Sequence, residues 1–216
     1  MKEQAGILPT TPEPDKVVIV GQNEKHFQEV KWNKIKNHME TNLAIIMAYQ
    51  LDSFNNDHFI NNEFLRLKEL FNIKTAIETG TAYGSTTMWL SENFDKTITI
   101  ESNKKYLDVA IERWTNKGLS EKINAFLGDS ATVLSDVISR CNVGDDTIYF
   151  GDAHWYSSCP LLDELKAIAE HGIKPCIVIH DMKNPDDNRF GFDKYNDQEF
   201  TFEWVKPSLD LIYGEA

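Results

Sequence analysis

Apolar residues recur along this chain with two different rhythms. From Phe27 to Leu51 they fall at Val30, Trp32, Ile35, Met39, Leu43, Ile46 and Met47. Steps of three and four put them on one stripe of a helix. Phe59 to Phe71 repeats the pattern through Phe64, Leu65, Leu67, Leu70 and Phe71. Ahead of both, Pro9, Pro12 and Pro14 predict an irregular lead-in, and the run VVIV (17–20) is long enough only for a small edge strand.

From residue 74 the rhythm alternates. Short apolar runs at 74–79, 97–101, 122–128, 146–152 and 175–181 read as strands. The segments between them, 84–93, 103–117, 130–140 and 160–170, read as helices. Strands separated by helices build βαβ units and a parallel sheet. Nearly unbroken apolar strands are expected when helices cover both faces. The predicted fold class is therefore α/β, a doubly wound, mostly parallel sheet preceded by N-terminal helices. Residues 1–58 are expected to form a lead-in and helical cap, and 59–216 the sheet domain, in one compact unit. After Asp181 the chain is polar and turn-rich to about Gln198, with no clear strand pair, and a short amphipathic stretch covers 200–213.

Composition narrows the partners. The chain has 216 residues, 22 Lys plus Arg against 34 Asp plus Glu, and a net charge of −12. Nucleic-acid binding is mostly electrostatic, so a nucleic-acid partner is disfavoured. Cys141, Cys159 and Cys176 are odd in number and form no C-x-x-C pair, which suits free thiols in a reducing compartment. No apolar run approaches the ~18 residues that span a bilayer, and the first residues lack a signal peptide's apolar stretch. The expected location is cytoplasmic, with no membrane partner; a homodimer is allowed.

Ligands of open parallel sheets sit at the carboxyl ends of the strands. Each predicted strand delivers an acid there: Glu78, Glu101, Asp129, Asp152 and Asp181. The first also opens a loop, Glu78-Thr79-Gly80-Thr81-Ala82-Tyr83-Gly84-Ser85-Thr86. A dinucleotide fingerprint needs glycines at 80, 82 and 85, whereas here Ala82 and Ser85 intervene and the second glycine is Gly84. Such a loop suits the zwitterionic tail of an amino acid, with amides for its carboxylate and Glu78 near its ammonium; an ordinary strand–helix turn is the alternative. Glu101, followed by Ser102, can take both hydroxyls of a ribose. This fits NAD and S-adenosylmethionine equally. Gly128-Asp129-Ser130 can meet an adenine edge or simply cap a helix.

Taken in order, ETGTAYGST, ITIES, FLGDS, IYFGDAHWYSSCPLLDEL and IVIHDMKNP resemble the class I S-adenosylmethionine-dependent methyltransferases. More narrowly, they are similar to small bacterial and phage O-methyltransferase-like proteins with DAHW after the fourth strand and HD after the fifth. The resemblance covers roughly 60–213. It implies a Rossmann-like methyltransferase fold in which residues 78–86 form the first cofactor motif, Glu101 is the ribose acid, and Asp129 with Ser130 meets adenine. It also implies two strands beyond the fifth, for which this sequence offers no clear pair, so the final strand hairpin is expected to be missing. Metal-dependent relatives such as catechol O-methyltransferase carry Asp after the fourth strand and Asp-Asn after the fifth. This chain has Asp152 and then His180-Asp181, an altered ligand set for a divalent metal such as magnesium or manganese.

Methyl transfer from a sulfonium is a direct displacement, helped by removing the acceptor's proton. His154 is the candidate base because imidazole titrates near neutrality, with Asp152 beside it in the catalytic set; a loop-bracing role is its alternative. Asp152, His180 and Asp181 are the candidate metal ligands, or else a hydrogen-bonded strand end. The expected activity is O-methylation of a small molecule or sugar. An NAD-dependent oxidoreductase and a non-catalytic cofactor- or partner-binding module are the rival readings.

Overall fold

The structure, a computed structural model, describes residues 52–153, 159–186 and 191–214. The chain divides into two units between Leu51 and Asp52, and all described residues belong to the second. The run VVIV and the helix predicted over 27–51 lie outside the described residues.

Among the described residues the first long helix, α1 (His58–Phe71), starts where the Asp57 side chain accepts from the amides of Phe59 and Ile60. That satisfies two of the donors a helix start leaves unbonded. It ends at Asn72 in the left-handed conformation. Then come β1 (Thr75–Thr79), α2 (Ser85–Asn93), β2 (Lys96–Glu101), α3 (Lys104–Asn116), β3 (Ile123–Leu127), α4 (Ser130–Cys141), β4 (Thr147–Gly151), α5 (Leu161–Glu170) and β5 (Cys176–Ile179). All neighbouring strands pair in parallel, in the order β3-β2-β1-β4-β5. The chain runs outward from β1 to one side, then returns to start β4 on the other. The switch point therefore lies between β1 and β4.

The sheet has the doubly wound, Rossmann-like topology expected. Each face has its own apolar layer. On one, Ile77, Ile98, Ile100 and Tyr149 meet Leu134 and Ile138 of α4 and Leu161, Leu165 and Ile168 of α5. On the other, Ala76, Ile148 and Phe150 meet Phe64 of α1 and Leu90 of α2. Ile148, Tyr149 and Phe150 thus alternate between layers, as strand geometry requires. Leu165 is fully buried, so truncating it to Ala costs about 2–5 kcal/mol.

Among the described residues no strand joins the sheet beyond β5. The segment after β5 does form a strand pair, which the sequence did not predict. β6 (Lys194–Tyr195) and β7 (Gln198–Glu199) make a separate antiparallel ribbon. Asn196 and Asp197 between them both have positive φ, 48° and 68°, the requirement of a tight two-residue hairpin turn. α6 (Phe202–Tyr213) closes the described chain, capped by the Thr201 hydroxyl and packed through Val205 and Ile212 on the α4–α5 side. No described helix is long and apolar enough to cross a membrane, and the three cysteines are free.

Candidate active site

Backbone bonds just past the strands hold their carboxyl ends in line. The Gly80 amide donates to Ile100, Gly128 to Glu101, Asp152 to Thr79 and His180 to Gly151. The sheet ladder thereby extends into the turns, and the expected residues from five segments share one edge.

The turn after β1 is shaped by its glycines. Gly80 has φ +89°, and a Cβ there would lie 2.4 Å from the Asp152 carbonyl oxygen. Only glycine lets this turn approach the end of β4 so closely. Gly84, at φ +78°, precedes α2, and a Cβ on it would lie 2.9 Å from the Ala110 Cβ of α3. Between them Ala82 is exposed and also left-handed, at φ +46°. Its amide donates to Glu101 Oε2 at 2.8 Å, while the Asn103 amide donates to Glu101 Oε1 at 2.7 Å. Thr81 shares a 2.6 Å hydroxyl contact with Thr99. The Tyr83 ring lies 5.0 Å from that of Tyr106, and Arg113 donates to the Tyr83 carbonyl at 2.5 Å. Ser85 opens α2, the Thr86 hydroxyl accepts from the Phe54 amide at 3.0 Å, and Ser102 is exposed.

Glu78 differs from the expectation of an open contact. It is 1% exposed, and its carboxyl receives the Thr87 hydroxyl and, at 2.8 Å, the Thr99 hydroxyl. Burial pushes its pKa up to about 8 against those two hydrogen bonds, with Asp152 and Glu101 adding a smaller upward push. Glu78 therefore braces the loop from inside the core, because strand alternation turns it under α2.

On the other side, Asp129 is exposed and caps α4 by accepting from the Ala131 amide at 3.1 Å. Gly128 is packed against Val133. Ser130 is 5% exposed. Glu164 of α5 receives the Tyr149 hydroxyl at 2.6 Å, and Tyr149 lies 3.3 Å from the Thr79 hydroxyl. Burial raises the pKa of Glu164. Thr79 is itself fully buried.

Asp152, His180 and Asp181 offer ligand atoms that all lie within 4.8 Å of one another. His180 Nδ1 is 3.2 Å from Asp152 Oδ1 and 3.1 Å from Asp181 Oδ2. These carboxylates raise the imidazole pKa to about 10, Asp152 most, against the opposing effect of burial. Asp181 is held at φ +54°, a conformation uncommon outside glycine and found mostly in turns and sites. Two oxygens and one nitrogen make a donor set suited to a divalent cation. His154 lies outside the described residues.

A cleft of about 650 Å³ opens beside the triad, lined by Asp57, His180, Asp181, Met182, Asn184, Gly191, Phe192 and Asp193. Lys183 and Lys194 sit 5.0 Å and 5.4 Å from the centre of the Phe192 ring and both pair with Glu199. Sequence reasoning missed Asp57, Phe192 and Asp193, which carry no motif; only the fold gathers them.

The chain is similar to several solved structures. An O-methyltransferase from Bacillus cereus, solved with S-adenosylhomocysteine, is 20% identical, with 53% of each chain covered and a TM-score of 0.42. A protein from Staphylococcus aureus provisionally named a caffeoyl-CoA O-methyltransferase is 18% identical, covering 67% of this chain and 66% of that one, with a TM-score of 0.45. The O-methyltransferase TomG from Streptomyces achromogenes, solved with S-adenosylmethionine, is 19% identical over 40% of each chain, with a TM-score of 0.35. The similarity thus spans between 40% and 66% of these structures' own lengths. No curated protein matches the sequence. The O-methyltransferase family profile matches residues 33–164, more than half of the sequence. This chain belongs to the O-methyltransferase family.

Proposed function

We propose that this chain transfers the methyl group of S-adenosylmethionine to an oxygen of a small hydroxylated acceptor. The observation that carries the reading is Glu101, fixed beside the Gly80–Gly84 loop by the amides of Ala82 and Asn103. A carboxylate offers about four acceptor positions. Two are taken by these amides, and two remain for the adjacent hydroxyls of a ribose. Gly80 to Thr86 border the amino-acid end, where first-turn amides of α2 suit a carboxylate. Glu101 and Ser102 hold the ribose, and Gly128, Asp129 and Ser130 border the adenine. In this reading Glu78 and Thr79 support the loop from below.

The sulfonium of the bound cofactor supplies an activated methyl group. The protein aligns acceptor oxygen, methyl and sulfur, and alignment of this kind is worth roughly 7–11 kcal/mol. The acceptor lies in the cleft beside Asp152, with Phe192 and Met182 as its apolar wall. Asp57, Asp181 and Asp193 accept hydrogen bonds from hydroxyls and repel anions, which favours a neutral polyhydroxylated acceptor such as a sugar. His154, two residues beyond Asp152, takes the acceptor's proton. Asp152, His180 and Asp181 are the residues that would hold magnesium or manganese, which lowers the pKa of a coordinated hydroxyl. The test is transfer of labelled methyl to a panel of sugars and phenols, with manganese, with magnesium and with EDTA. Transfer to oxygen supports the reading. Cofactor binding without transfer under any of these conditions would make the chain a binding module.

A further inference from the structure

We infer that Arg113, a residue of α3 outside the proposed cofactor contacts, is the positioning residue for the amino-acid end of the cofactor site and acts through the Tyr83 carbonyl. The inference rests on the reading of the site as an adenosylmethionine site.

The loop after β1 has an unusual backbone. Gly80, Ala82 and Gly84 all have positive φ, at 89°, 46° and 78°. Such a conformation persists only where its surroundings over-determine it. Two side chains of opposite charge hold it, one from β2 and one from α3. Glu101 accepts from the Ala82 amide at 2.8 Å. Arg113 donates through a guanidinium nitrogen to the Tyr83 carbonyl at 2.5 Å. Arg113 is 8% exposed, and a charge buried that far carries a desolvation cost that an apolar residue would not.

Arg113 is one of three α3 residues that meet the loop. Tyr106, Ala110 and Arg113 are spaced four and three apart, so they share a helix face. The Tyr106 ring lies 5.0 Å from that of Tyr83. Ala110 is fully buried where a Cβ on Gly84 would come within 2.9 Å. Arg113 supplies the polar contact of this face, and a carbonyl oxygen takes it.

The peptide between Tyr83 and Gly84 is thereby held at both ends. Its carbonyl accepts from Arg113, and its amide donates to the Thr81 carbonyl at 2.8 Å. The next residues, Ser85 and Thr86, open α2, and no helical carbonyl accepts their amides. These are the donors proposed for the cofactor's carboxylate. Removing Arg113 frees the peptide that leads into them and changes where they point. Glu101 has its own backbone donors in Ala82 and Asn103, so the ribose end keeps its orientation.

Calorimetry on the full chain with S-adenosylhomocysteine tests this, together with adenosine measured by displacement of S-adenosylhomocysteine and thermal melting to confirm folding. Adenosine carries the ribose and adenine but no amino-acid end. Arg113→Met keeps the length and removes the donors. It should raise the Kd for S-adenosylhomocysteine about three- to tenfold, the scale of one hydrogen bond, and leave that for adenosine within about twofold. Arg113→Lys retains a charged donor without the planar fork and should show a smaller loss of the same selectivity. A merely structural brace would weaken both ligands alike. Unchanged affinity for S-adenosylhomocysteine in Arg113→Met, or an equal loss for both ligands, would overturn the inference. If Arg113→Met does not fold, Arg113→Lys decides in its place by the same comparison. An unaltered chain that binds S-adenosylhomocysteine but not adenosine overturns the inference too, because the loop would then govern more than the amino-acid end. An unaltered chain that binds neither ligand removes the reading of the site and this inference together.

Discussion

The Ala82 amide donates to the Glu101 carboxylate across 2.8 Å, joining the loop after β1 to the end of β2. Ala82 adopts φ +46° to do so, a conformation that costs a non-glycine residue roughly 1–2 kcal/mol. The loop is thus strained at the point where it meets the acid, and the Asn103 amide fixes the other oxygen. Glu101 is oriented by backbone donors before any ligand arrives.

Glu101→Ala should weaken S-adenosylmethionine binding by about 1–3 kcal/mol, the scale for leaving polar partners unpaired. Calorimetry measures it directly. An affinity equal to that of the unaltered chain would remove Glu101 from the site.

Gly80→Ala should lower stability by at least about 2 kcal/mol, because strained backbone and a backbone clash act together. The new Cβ would meet the Asp152 carbonyl oxygen at 2.4 Å, a backbone atom that cannot swing aside as a side chain could. Urea denaturation reads the loss. A midpoint within experimental error of the parent's would mean that the β1 and β4 turns are not held this close.

Glu78 predicts a pH dependence of stability. Its pKa in the folded chain is about 8, above the ordinary 4.5. Between those values the unfolded chain has released a proton that the folded chain retains. Stability should therefore fall as pH rises through this window, by up to about 1.4 kcal/mol per unit, and the contribution should level off above pH 8. Denaturation midpoints at several pH values should show a shallower slope in Glu78→Gln than in the parent. Parallel slopes would show that Glu78 is ionised in the folded chain.

Much of the fold was legible because parallel strands buried on both faces leave plain apolar runs. Ile148, Tyr149 and Phe150 had to be strand on composition alone, and Gly80 and Gly84 marked the turn that follows β1. The positions of Glu101, Asp129, Asp152 and Asp181 at one edge followed from the same alternation of strand and helix. Direction within the site was less legible. Glu78 is the last residue but one of β1 and Glu101 the last of β2, yet one carboxyl turns into the core and the other meets the loop, a difference set by register and packing. The cleft was not readable residue by residue, since Asp57, Phe192 and Asp193 carry no motif and meet only through tertiary folding. The β6–β7 ribbon escaped because its strands are two residues long, with only Asn196-Asp197 to mark the turn.

If His154 is the base, His154→Gln should lower the rate of methyl transfer by ~10²–10⁴. Cofactor affinity should stay within about threefold, since a base acts in the transition state. The pH–rate profile should also lose its limb near neutrality. A glutamine variant with the parent's rate and profile would assign His154 to bracing the loop.

The most direct measurement is titration of the purified chain with S-adenosylmethionine and, separately, with NAD. The account predicts saturable binding of one S-adenosylmethionine per chain, lost or weakened in Glu101→Ala, and no comparable binding of NAD. Tighter binding of NAD, or no binding of S-adenosylmethionine, would contradict it.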